Sequence, residues 1–222
     1  MYILTKLSII ITVCYLFFVN IALAGANEEI INLQKSWEKL NYQTPIPEQE
    51  KEFESLLIQS KKITSQYNDL AESHIWQGII EATFADLKND KGEKNSALSL
   101  AALAKKSFVD AIKLNPYAMH GAAFTNLGAL YYQVPSWPIS FGDNRKAEEF
   151  LMKGLELNPD DIDANYFYGD FLFQKGNLLK SEHYFIKASQ AQEREGREIG
   201  DKERKKDIEA MLKKITYLLH RQ

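Results

Sequence analysis

The sequence predicts an all-α fold, an α-solenoid of antiparallel helix pairs finished by a C-terminal capping helix. Three observations predict it. Nearly every segment after Gly25 carries its apolar residues at the helical period, and none sustains strand alternation. Short turns separate these segments, which makes consecutive helices antiparallel neighbours. One small–large–small pattern returns on three helices, and its last two copies lie 34 residues apart.

The elements follow in order. A first helix is expected over Asn27–Leu40, and Pro45 and Pro47 interrupt the chain after it. A second runs from Pro47, where proline suits a first turn, to Gln66 and carries Phe53, Leu56, Leu57 and Ile63. A third covers Asn68–Lys88, with a turn at Asn89-Asp90-Lys91-Gly92. A fourth covers Asn95–Leu114 and stops at Asn115-Pro116, because proline lacks an amide and restricts the residue before it. Further helices are expected over Gly121–Gln133, Asn144–Leu157, Ile162–Gln174, Leu178–Gln192 and Asp201–Leu219.

The repeated pattern reads Ala104, Phe108, Ala111, then Ala147, Leu151, Gly154, then Ser181, Phe185, Ala188. Offsets of four and seven place each trio on one helix face. Small residues let a neighbouring helix approach, and the large one fills the groove. The preceding helices carry Leu127-Gly128 and Tyr168-Gly169, with Trp76-Gln77-Gly78 as a weaker third example. Glycine inside a helix costs roughly 1 kcal/mol against alanine, so its return at one register points to a close crossing. The earlier step is irregular: Ala104 to Ala147 spans 43 residues, nine more than the later step. Seven of the nine fall between Tyr131 and Ala147, and two in the turn after Pro116.

This spacing resembles the tetratricopeptide repeat, a 34-residue helix-turn-helix unit. The resemblance is clearest over 121–159 and 160–193, and implies a right-handed solenoid whose first helices of each pair line a concave binding surface. The insertion Val134-Pro135-Ser136-Trp137-Pro138-Ile139-Ser140-Phe141-Gly142-Asp143, with Ala147, Asn158-Pro159 and the run from Asp163 to Asp170, further resembles the periplasmic T components of TRAP transporters. That likeness implies a helper near a solute-binding protein and a permease.

The first 24 residues read as a signal peptide. Lys6 precedes an apolar run ending in Ala22-Leu23-Ala24, which suits cleavage after Ala24. A retained membrane anchor is the rival reading. Either one implies export, to the periplasm or beyond. Cleavage takes the net charge from −3 to −4, since it removes Lys6 and no acid. It also removes Cys14, the only cysteine, so no disulfide is expected to hold the domain at 25–222. The mild acidity gives no reason to expect nucleic acid.

A binding role is expected and catalysis is not. No nucleophile context is recognisable, and His74, His120, His183 and His220 lack metal-pair spacing. No cofactor is expected. Asp160-Asp161-x-Asp163 reads as helix capping rather than a calcium loop. The candidate binding residues are Tyr132, Gln133, Tyr166, Asp170 and Phe173 on the concave face, beside Thr125, Ala129, Asp163 and Gln174, with Trp137 and Phe141 on the inserted turn. That turn either caps a gap between helices or forms a rigid lip. The alternating charges from Glu193 to Asp207 read as a solvated face. The stripe Ile208, Met211, Leu212, Ile215, Leu218 and Leu219 reads as the cap at 201–220 over the last pair, or as a dimer contact. The expected partner is a protein or peptide of the cell envelope, a solute-binding protein among the candidates.

Overall fold

The computed structural model describes residues 25–221, so the signal-peptide reading of 1–24 lies outside the described residues. The described chain is all helical apart from one isolated bridge between Ser136 and Gly142. Helix α1 covers residues 25–43. It is followed by α2 (Ile46–Gln66), α3 (Ala71–Asp90), α4 (Lys94–Leu114), a 3-10 turn (Ala118–Gly121), α5 (Ala122–Gln133), α6 (Asn144–Leu157), α7 (Ile162–Gln174), α8 (Leu178–Gln190) and α9 (Glu198–Leu219). Six boundaries move by two or three residues: α1 is longer at both ends, and α3 starts later and runs on through Asp90. Helix α3 begins later than its periodicity suggests, because Ser73 Oγ turns back onto the carbonyls of Tyr67 and Leu70 and holds a turn there. Helix α8 stops at Gln190, and α9 starts early, at Glu198.

The pairs α3–α4, α5–α6 and α7–α8 form the intimate hairpins, with α9 packed on α7 and α8. All nine positions of the small–large–small pattern are buried. The glycine of each first helix lies against the large residue of its partner. A Cβ would come within 2.6 Å of the Phe108 ring at Gly78, 2.7 Å of Leu151 at Gly128 and 3.3 Å of the Phe185 ring at Gly169. Gly78 is therefore a full member of the repeat, not a weaker one. The extra length before Ala104 is absorbed by long helices: α3 and α4 run for 20 and 21 residues, against 13 each for α7 and α8. Their crossing is preserved while the hairpin extends beyond it.

The two residues added after Pro116 also have a place. Met119 and His120 sit at φ 46° and 54° in the left-handed region, which costs a side-chain-bearing residue roughly 1–2 kcal/mol. The seven added before Ala147 form a tight loop. Gly142 donates to the Pro135 carbonyl at 3.0 Å and Asp143 to the Tyr131 carbonyl at 2.9 Å. A Cβ at Gly142 would lie 2.2 Å from the Val134 oxygen, so glycine is required there. Asp143 then caps α6, accepting from the amides of Arg145 and Lys146 at 2.9 and 3.2 Å. Asp161 caps α7 through Ala164 at 2.8 Å, as its place after Asn158-Pro159 implies.

Candidate functional site

Residues of α1, α2, α3, α5, α7, α8 and α9 line an open-mouthed cavity of about 1320 Å³. Its wall combines Trp37 and Tyr42 of α1, Phe53 of α2, Asp86 and Asp90 of α3, Gln133 of α5, Tyr166, Phe167 and Asp170 of α7, and Arg204 of α9. Met119 and His120 line it too, so the two strained residues of the 3-10 turn face the concave side. Backbone strain of this kind collects at functional surfaces.

The cavity is bounded because the two ends of the array meet. Gln34 of α1 donates to the Gly196 carbonyl at 2.5 Å. Glu38 of α1 pairs with Arg197 at 2.7 Å. The Arg197 guanidinium also lies 5.7 Å from the Trp37 ring and 5.4 Å from Trp76. A second set of charges ties α7 to α9. Arg194 reaches Asp161 at 3.1 Å and Asp163 at 2.8 Å and also pairs with the fully buried Asp201. Arg204 reaches Asp163 at 2.9 Å and lies 4.1 Å from the Tyr166 ring. Arginine suits this role, since its planar fork serves two carboxylates and stacks on rings. Burial works to raise the Asp163 carboxyl, but Arg194, Arg204 and Arg197 outweigh it and hold the group well below the usual range. Burial, helped by Asp163, pushes Asp161 the other way. Burial likewise raises the Tyr42 and Tyr166 hydroxyls.

The candidate residues divide. Gln133, Tyr166 and Asp170 line the cavity, as do Thr125, Ala129 and Asp163. Thr125 and Ala129 are buried rather than exposed. Tyr132 turns behind the wall, where its hydroxyl donates to Asp170 at 2.7 Å; burial pushes that hydroxyl well up. Phe173 is outside the cavity, packed in the α7–α9 core with Lys214 4.8 Å from its ring. Phe141 packs edge-on against Tyr131 at 5.6 Å. Trp137 is 85% exposed at the tip of the loop and caps nothing.

The arginines depart from what the sequence suggests. The charges from Glu193 to Asp207 look like a solvated face, yet Arg194, Arg197 and Arg204 turn inward. Their partners Asp161 and Asp163 lie 31 to 41 residues away, so no helical spacing announces them. Among the described residues no group of three or more His, Cys, Asp or Glu could hold a metal ion, and no helix is long and apolar enough to cross a membrane.

No protein-family model matches the chain, and no curated protein matches it. A solved structure described as "Functional Characterization of Pseudomonas Aeruginosa pilF" is similar over 86% of this chain and 93% of that chain, at 16% identity and a TM-score of 0.35. The helix pairing and the glycine crossings define the fold.

Proposed function

We propose that this chain is a binding protein of the bacterial cell envelope that holds a segment of another polypeptide in its concave cavity. The concave cavity carries the reading. At about 1320 Å³ it exceeds the roughly 300–1,000 Å³ of small-molecule sites. Its aromatic walls offer contact area at modest entropic cost. The envelope location is supported by the leader-like residues 1–24. The role is binding and not catalysis, since the cavity's arginines are spent on holding helices together.

The alternative is an accessory subunit of a TRAP-type transporter that takes a small hydrophobic ligand. The inserted loop at 134–143 supports it. The carboxylates on the cavity wall speak against a purely hydrophobic ligand, because desolvating them without partners is costly.

A photo-crosslinking residue at Gln133, which lines the cavity and is exposed, tests the proposal in cells. The expected result is a crosslinked polypeptide that is absent when the same group replaces Lys106 on the outer helix α4. Crosslinks from Lys106 alone, or none from Gln133, would overturn it. Fractionation of the same cells checks the location.

A further inference from the structure

The charges on the cavity wall are unbalanced in a way that selects an occupant. Nine carboxylates line it against four cations from lysine and arginine. The three arginines among the four are already committed to Asp161, Asp163, Asp201, Glu38 and Asp207. Lys187, the fourth, donates to the Pro159 carbonyl at 3.2 Å. Reaching these arginines would require an anionic ligand to break buried ion pairs, and each orphaned carboxylate would then be strongly destabilising.

Several acids have no such partner. Asp86 and Asp90 are four residues apart on α3, hence on one helix face. Burial and Asp90 both push the Asp86 carboxyl up, to about 6, and no cation offsets them. On α7, Asp170 also lines the cavity and accepts from Tyr132 at 2.7 Å and Gln174 at 3.1 Å, both through Oδ2. Those bonds fix its orientation and leave Oδ1 free to accept, since a carboxylate has about four acceptor positions. Trp37, Tyr42, Tyr166 and Phe167 line the same cavity, and aromatic rings suit aliphatic stems and cations alike.

We infer that the polypeptide segment held in this cavity is a basic one, whose lysine or arginine side chains meet Asp86 and Asp90 of α3 and Asp170 of α7. This rests on the cavity being the binding site proposed above. An acidic segment finds, among these walls, three arginines already paired with carboxylates and only Lys187 outside an ion pair. A fully apolar one leaves Asp86, Asp90 and the Oδ1 of Asp170 desolvated without partners.

Fluorescence anisotropy on the full chain tests it with labelled short peptides that alternate leucine with lysine, glutamine or glutamate. The lysine peptide is expected to bind, more weakly as salt rises, and the glutamate peptide is not. The Asp86→Asn/Asp90→Asn double variant and Asp170→Asn are each expected to weaken binding about tenfold or more, as loss of a charge-assisted hydrogen bond implies. Glu54→Gln, an exposed acid outside the cavity, should change nothing, and melting curves confirm that each variant is folded. Equal binding of the glutamine peptide, equal loss in Glu54→Gln, or competition by free spermidine at the peptide's own affinity would each overturn the basic-segment inference. Failure of the lysine peptide to bind would also overturn it. The Gln133 crosslink separates that result from failure of the cavity reading, because a crosslinked partner lacking basic residues removes the inference and leaves the cavity standing.

Discussion

Asp163 is approached by Arg194, Arg204 and, at 4.0 Å, Arg197, and most of the site's electrostatics turn on that meeting. Removing Arg194 leaves Asp201 and Asp163 short of a partner in a buried setting. Arg194→Met is expected to cost about 3 kcal/mol, read from urea unfolding. Asp86 is the opposite case. Its carboxyl is pushed from 3.8 to about 6 by burial and then by Asp90, so the folded state holds that proton more tightly than the unfolded chain. Asp86→Asn should therefore stabilise the protein above about pH 6, by on the order of 1 kcal/mol after solvent screening. The advantage should vanish below about pH 4, where both states are protonated. Thermal melts across that range check it. Trp137 stands outside both networks. Trp137→Ala should shift stability by no more than about 0.5 kcal/mol, which calorimetry would show.

At the scale of the element, each helix pair is fixed by one crossing in which glycine receives a bulky side chain. The crossing is why α3–α4, α5–α6 and α7–α8 pack alike although their hairpins differ in length. Ala188 is fully buried on the same face of α8 as Phe185. Ala188→Phe is expected to overpack it and cost about 1–3 kcal/mol, measured as a lowered melting temperature. The α5–α6 loop is built differently, around Gly142 and the cap at Asp143. The Gly142 turn and the Asp143 cap emerge only from the structure, whereas the devices legible in the sequence are those that need only neighbours a few residues apart. The glycine register at 128 and 169, the Asp161 cap and the long apolar faces all belong to this kind. Where they failed, at the start of α3, a serine side chain competed with the helix for backbone partners.

At the scale of the molecule, stacked repeats ordinarily touch only their neighbours, and here the first helix also touches the segment before the last. The bond from Gln34 to Gly196 spans 162 positions of sequence. Arg197→Ala should loosen that closure selectively. Hydrogen exchange is expected to quicken over residues 25–43 while α5 and α6 stay protected. An even response across all helices would mean that α1 is held by its apolar core alone.

The sequence by itself determined the helices, their pairing and the repeated crossing. Those follow from periodicity and from side chains that meet at fixed offsets on one helix or across one short turn. Tertiary structure alone decided that the array closes, that Arg194, Arg197 and Arg204 face inward, and that Gln133, Tyr166 and Asp170 share a cavity while Tyr132 and Phe173 stand behind its wall. Charge pairing and enclosure depend on distance in space. Once the chain has turned through several hairpins, spacing along the sequence no longer measures that distance.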